Sequence, residues 1–199
     1  MRAIVVPFRG DGAKRRVAAP PAVRARLALA MLGDVVTACV ATGRTVVVTA
    51  DREAAALALA LGAEVRADPG GGQGLAVEAA LAELPDGPVL VVNADLPCVV
   101  PHDLRTLAGA AELGALGLVA ARDGTTNALA LPRPAAFAPL YGPGSAQRFR
   151  ARAEELGLDV VALALPNLAH DVDRLADLDG LALRAGSRTQ AALAALHAA

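Results

Sequence analysis

Val89-Leu90-Val91-Val92-Asn93-Ala94-Asp95-Leu96-Pro97-Cys98-Val99-Val100 is the stretch from which the rest of the chain can be read. It follows Gly87-Pro88, runs through four consecutive apolar residues and breaks off at an acid. A buried parallel strand has this look, because both of its faces are covered and no polar alternation survives. Pro97 stops further pairing, so Asp95 is left at the C-terminal edge of a sheet, where open α/β folds bind ligands. Taken alone, the stretch fits two roles for Asp95: a turn cap or a functional carboxylate.

Outward from this strand the chain alternates. Ala3 to Phe8 is an apolar strand, and Pro21 opens a helix to about Ala41 with Val23, Leu27, Ala30, Met31, Val35 and Ala38 on one face. Arg44 to Thr49 is a second buried strand. Asp51 caps a helix that Gly62 closes, and Glu64 to Ala67 is a short third strand. Downstream come a helix from Leu75 to Leu84, the Asp95 strand, a helix beginning near Pro101, and strands at Leu116 to Ala121, Ala128 to Leu131 and Asp159 to Leu165. Helices follow from about Ala146, around Leu175 and Leu178, and from Ser187 to Ala199, the last one peripheral with His197 on the surface. Strand and helix in alternation imply an α/β fold with helices on both faces of a parallel sheet. No linker divides the 199 residues, so a single domain, 1–199, is expected.

Composition excludes several classes. The chain is 55% hydrophobic, yet every apolar run is interrupted well before 18 residues, which argues against a membrane span. The N-terminus has no secretory pattern, and Cys39 and Cys98 lie far apart without metal-ligand spacing, so a cytoplasmic location is expected. A net charge of −1 and only four aromatic residues argue against nucleic acid as a partner. The apolar helix faces suit a core and a dimer seam equally.

The polar chemistry is concentrated in loops. After the first strand, Arg9-Gly10-Asp11-Gly12-Ala13-Lys14-Arg15-Arg16 combines glycine with four cations, and Lys14 is the only lysine among 19 basic residues. Such a loop suits anions, although it completes neither a dinucleotide fingerprint nor a Walker A motif. Asp68-Pro69-Gly70-Gly71-Gly72-Gln73-Gly74 is a connector or a glycine loop whose backbone amides, at Gly71 and Gly72, approach a ligand. Asp123-Gly124-Thr125-Thr126-Asn127 and Tyr141-Gly142-Pro143-Gly144-Ser145 are two further polar loops. Ser145 is a natural N-cap. Alternatively the amides of Gly144, Ser145 and Ala146 bind an anion there, reinforced by Arg148. In Ala169-His170-Asp171-Val172-Asp173, residues two apart point the same way, so Asp171 and Asp173 can face one hard cation; otherwise Asp173 caps the next helix. His170 reads as a packing or hydrogen-bonding neighbour. One pocket holding the basic loop, a glycine loop, Asp95 and the acid pair would suit metal-assisted transfer at a phosphate. Oxygen donors without a Cys or His cluster select Mg²⁺, and Lys14 and Arg16 would stabilise a leaving diphosphate.

Six motifs, in order, carry a family resemblance: Gly12-Ala13-Lys14-Arg15-Arg16, Asp68-Pro69-Gly70-Gly71-Gly72, Ala94-Asp95-Leu96-Pro97, Gly124-Thr125-Thr126-Asn127-Ala128-Leu129, Tyr141-Gly142-Pro143-Gly144-Ser145 and Asp171-Val172-Asp173. Over roughly residues 2–180 the chain resembles the phospholactate or phosphoenolpyruvate guanylyltransferases of coenzyme F-420 biosynthesis. The resemblance implies a three-layer α/β/α sandwich with a mostly parallel mixed sheet, of the nucleotide-diphospho-sugar transferase type. It implies that GTP and Mg²⁺ bind, that the phosphate of a small phosphorylated carboxylic acid attacks the α-phosphorus, and that diphosphate leaves. On this basis Asp95, Asp171 and Asp173 match the metal-binding acids, Lys14 the nucleotide-phosphate lysine, and Thr126, Gly142 and Ser145 the positions that hold the phospho-acid. Phosphoenolpyruvate is the implied acceptor, giving enolpyruvyl-diphospho-guanosine for a downstream transferase. The alternatives are phospholactate or phosphoglycerate as acceptor, a molybdopterin or sugar-phosphate nucleotidyltransferase, and a non-catalytic nucleotide-binding module. Two departures stand out. The usual Gly-Thr-Gly-Thr is Gly124-Thr125-Thr126 here, one residue short, and the usual Gly-Leu-Asn is Gly72-Gln73-Gly74, which removes an asparagine amide.

Overall fold

Strand β1, Ala3–Pro7, lies in the interior of the sheet, and all five of its residues are buried. In the computed structural model, which describes residues 3–10, 20–172, 177, 181 and 183–197, it pairs in parallel with β2, Arg44–Val48, on one side and with β4, Val89–Val92, on the other. Strand β3, Glu64–Arg66, extends the sheet beyond β2. Beyond β4 come β6, Thr126–Leu131, then β5, Leu116–Ala120, and finally β7, Val160–Ala162. The order among the described residues is β3-β2-β1-β4-β6-β5-β7, with β6 antiparallel to both neighbours and every other pairing parallel.

The period of two along the strands divides the core into two layers. Ile4 and Val6 of β1 and Leu90 and Val92 of β4 face α1, Pro21–Val40, and α4, Pro101–Glu112; α2, Arg52–Ala60, packs on the same side. Ala3, Val5, Val89 and Val91 face the opposite way, toward α3, Gln73–Ala82, and α5, Ser145–Glu155. A strand wrapped on both faces cannot alternate with polar residues, which is why Val89–Val92 reads as an unbroken apolar run. Each such side chain contributes about 1.5–3 kcal/mol on burial.

A short helix α6, Pro166–Ala169, follows β7, and α7, Ser187–His197, ends the described chain. Helix α7 lies along α1, with Leu193 joining Leu27 and Met31 in a third apolar cluster. Asp34 of α1 is buried and anchors it: its carboxylate accepts from the backbone N–H groups of Arg188 at 3.1 Å and Thr189 at 2.9 Å. A side chain from another helix thereby satisfies two of the orphan donors of α7.

Several boundaries differ from the sequence expectation. Strand β6 starts at Thr126, two residues earlier than Ala128, because Thr126 still pairs with Ala120 across a register shift. Strand β7 is only Val160–Ala162, since it meets β5 over Leu116, Gly117 and Leu118 alone. Helix α3 begins at Gln73 rather than Leu75. Asp51 caps α2 as expected, accepting from Glu53 and Ala54, and both cysteines are buried. The helix anticipated around Leu175 and Leu178 falls outside the described residues. Among those described, no helix is long and apolar enough to cross a membrane.

Candidate active site

The chain runs outward from β1 through β2 to β3, then returns to β4 on the other side of β1. Such a reversal opens a crevice between the C-terminal ends of the two strands. A cavity of about 100 Å³ lies there, lined by Pro7, Phe8, Arg9 and Gly10 at the end of β1 and by Asn93, Ala94 and Asp95 after β4. Met31 of α1 and Gln73 of α3 complete its walls.

The antiparallel strand β6 brings a second set of groups to the same edge. Because it runs against β4, its first residues sit beside the last residues of β4: Val92 is paired with Ala128, and the Asn93 N–H donates to the Asn127 carbonyl at 3.0 Å. Thr126, Asn127, Tyr141, Gly142, Ser145 and Asp171 therefore line a neighbouring cavity of about 280 Å³. Gln73 and Asn93 belong to the walls of both cavities.

The backbone at the end of β4 also fixes the later acidic segment. The Val172 N–H donates to the Asp95 carbonyl at 3.2 Å, so Asp171 is held next to Asp95 across 76 residues of chain. Asn127 ties the same segment from the other side, donating to the Leu168 carbonyl at 2.9 Å and to the Asp171 carboxylate at 3.4 Å. These are hard oxygen donors, the chemistry that suits a divalent cation such as Mg²⁺. Among the described residues no three His, Cys, Asp or Glu form a metal cluster, and Asp173 lies outside them. His170 is a hydrogen-bonding neighbour as expected, its Nδ1 lying 2.6 Å from the Pro166 carbonyl.

One sequence expectation for the Tyr141–Ser145 loop is corrected. Ser145 is not the N-cap of α5: Gly144 occupies that position in the left-handed conformation at φ 71°, which glycine adopts without strain. Ser145 is the first helical residue, fully buried, and its hydroxyl donates to Thr126 Oγ1 at 3.0 Å. Arg148 engages the loop backbone as well. Its guanidinium donates four hydrogen bonds to the carbonyls of Leu140, Tyr141 and Pro143, clasping the loop from the helix side. From below, Tyr141 packs edge-on against Phe149 at 5.4 Å and beside Phe137 at 6.1 Å. Burial pushes the Tyr141 phenol well above its ordinary pKa, so it stays neutral.

Of the residues singled out from sequence, Asp95, Asp171, Thr126, Gly142 and Ser145 meet at this edge. Gly71 and Gly72 lead into α3 and Gly144 shapes the start of α5, and these three line neither cavity. Gly12, Lys14 and Arg16 fall outside the described residues. Asn93 and Gln73 were not anticipated. The available signal for Asn93 was an amide two residues before Asp95, at the end of an otherwise apolar run.

A family model described as "Guanylyl transferase CofC like" matches residues 1–195. The chain belongs to this family. Among its relatives is a phosphoenolpyruvate guanylyltransferase from Streptomyces scabiei, 40% identical and covering 97% of this chain and 96% of that one. Another, of the same name, from Thermomonospora curvata is 43% identical over 92% of this chain and 83% of its own. The fold is similar to that of a solved putative nucleotide-diphospho-sugar transferase from Desulfovibrio desulfuricans, with a TM-score of 0.76 at 16% identity over 99% of this chain and 95% of that one. The chain is thus a CofC-like nucleotidyltransferase, and the three-layer sandwich expected from sequence is the fold it adopts.

Proposed function

We propose that this CofC-like protein transfers GMP from GTP to the phosphate of phosphoenolpyruvate, with residues 1–199 acting as a single nucleotidyltransferase domain. One observation carries the reading: the switch-point cavity carrying Asp95 adjoins the Thr126/Ser145 cavity, and the Asp171 segment is hydrogen-bonded to the Asp95 backbone between them. A nucleotide on one side and a phospho-acid on the other would meet at that junction.

In the reaction a phosphate oxygen of phosphoenolpyruvate forms a new bond to the α-phosphorus of GTP. The bond from that phosphorus to the bridging oxygen breaks, and diphosphate leaves with the electron pair. A phosphate monoester is already anionic at pH 7, with a second pKa of about 6, so the nucleophile needs no general base. Catalysis then rests on positioning and charge stabilisation. Thr126, Gly142 and Ser145 hold the phospho-acid; the Ser145 hydroxyl gives its proton to Thr126 Oγ1, which leaves the Thr126 hydroxyl as the donor toward the acid. Lys14 and Arg16 stabilise the departing diphosphate, and Gly12, Gly71, Gly72 and Gly144 shape the loops around the substrates. Asp95, Asp171 and Asp173 would hold Mg²⁺, which when bound neutralises phosphate charge and orients the displacement.

Diphosphate release measured over a grid of four nucleoside triphosphates tests this, with phosphoenolpyruvate, phospholactate, phosphoglycerate and sugar phosphates as acceptors. The largest rate is expected for GTP with phosphoenolpyruvate. A best rate with CTP, or with a sugar phosphate, would overturn the assignment.

A further inference from the structure

We infer that Gln73 is a further catalytic residue, one that donates a hydrogen bond to a non-bridging oxygen of the nucleotide's α-phosphate, with Asn93 as its positioning residue. The inference rests on the guanylyl-transfer reading above and adds a ligand to it.

The argument begins with the hydrogen-bond polarity of the amide pair. The Asn93 side chain lies 3.1 Å from the Thr126 carbonyl, which can only accept, so that atom of Asn93 is Nδ2. The other atom, Oδ1, is then an acceptor and takes its proton from Gln73 Nε2 at 2.7 Å. The Thr126 backbone thereby fixes the orientation of both amides. A glutamine amide has two N–H donors and one carbonyl. Among the described residues one donor is committed to Asn93, which leaves a second N–H and the carbonyl for a ligand.

Position supplies the rest. Gln73 and Asn93 line both the nucleotide-side and the acid-side cavity. The bond that forms and the bond that breaks meet at one atom, the α-phosphorus of the guanylyl group in transfer, and a donor in the wall shared by the two cavities is placed to reach its non-bridging oxygens. Gln73 is only partly buried, and its bond to Asn93 restrains the side chain before substrate arrives, a preorganised donor of the kind that favours a transition state.

Packing fixes the backbone beside this amide. A Cβ at Gly74 would lie 2.7 Å from Pro139 Cβ and 2.8 Å from Pro139 Cα, so nothing larger than glycine fits unless the backbone moves.

The test uses the full chain with GTP, phosphoenolpyruvate and Mg²⁺, comparing wild type with Gln73→Ala and Gln73→Glu. In single-turnover reactions at saturating substrates, Gln73→Ala should slow transfer by about 10- to 100-fold, the value of one hydrogen bond to a charged group. KM for each substrate should stay within about threefold, and the melting temperature should hold. Gln73→Glu, which sets a carboxylate against phosphate oxygens, should be slower than Gln73→Ala. A GTP analogue with sulfur at a non-bridging α-position reads the contact directly: its rate penalty should shrink in Gln73→Ala. A Gln73→Ala rate within threefold of wild type would overturn the inference. So would a change confined to KM for one substrate, which would put Gln73 on a part of that substrate that does not transfer. If wild type itself fails to turn over this substrate pair, the guanylyl-transfer reading fails; if only the variants behave otherwise, Gln73 alone loses its role.

Discussion

Replacing Arg148 with Met should weaken binding of the phospho-acid while leaving the nucleotide side intact. Arg148 touches neither Asp95 nor the nucleotide cavity, yet its guanidinium makes four hydrogen bonds to three carbonyls of the loop that carries Gly142. The side chain is exposed, so each bond is assigned the low end of the usual net range, about 0.5 kcal/mol. Together they hold the loop by about 2 kcal/mol. If binding the acid requires the clasped loop, losing them raises KM for phosphoenolpyruvate by up to about 30-fold, since 1.4 kcal/mol is tenfold. Met keeps the aliphatic stem, so the contribution of packing is largely preserved. Steady-state kinetics varying each substrate at saturation of the other measures the effect. KM for GTP and the rate at saturating acid should stay within about threefold. Arg148→Lys, with a compact ammonium in place of the planar fork, should recover less than half of the loss. An equal rise in both KM values, or no rise in either, would refute the reasoning.

Two further outcomes follow from local packing and charge. Gly74→Ala drives a methyl to within 2.7 Å of Pro139, an overpacking cost of about 1–3 kcal/mol only partly offset by about 1 kcal/mol of helix propensity. The melting temperature should fall by roughly 2–6 °C, and a rise in a thermal scan would contradict the close approach. At the far edge of the sheet, hydrogen bonding from Arg44 at 2.7 and 2.9 Å holds the Glu64 carboxyl below its ordinary range. A depressed folded-state pKa gives stability that is present above the unfolded glutamate value of about 4.3 and is lost as the pH falls through the folded value. Both partners are about one-third or more exposed, so Arg44→Met should cost no more than about 1 kcal/mol at pH 7, measured by urea titration. The difference should close below about pH 4, and a gap that persists there would locate its origin elsewhere.

Much of this architecture was legible in the sequence because it rests on local signals. The buried run Val89–Val92 has no polar alternation, the Asp51 cap is a short-range hydrogen bond, and the glycine-rich loops announce turns. What was not legible depends on contacts between distant residues. Ser145 has the chemistry of an N-cap, but Thr126, 19 residues away, claims its hydroxyl and Gly144 takes the cap. That Arg148 clasps three loop carbonyls is likewise invisible in the sequence. The inversion of β6 has no periodic signature, yet it alone brings Thr126 and Asn127 to the Asp95 edge. Asp34 resembles an ordinary helix-surface acid until α7 folds over it. The glycine at position 74 is explained only by Pro139, far along the chain, whose close approach leaves no room for a side chain.

The account turns on Asp95, the carboxylate at the end of the central strand. Turnover of GTP with phosphoenolpyruvate in the presence of Mg²⁺, compared between wild type and Asp95→Asn at matched folded protein, tests it most directly. Asparagine preserves the shape but removes the charge, and the rate is predicted to fall by about 10³-fold or more, some 4 kcal/mol of lost transition-state stabilisation, with the melting temperature maintained. A folded Asp95→Asn protein that keeps turnover within tenfold of wild type would make Asp95 a structural residue and contradict the proposed guanylyl-transfer centre.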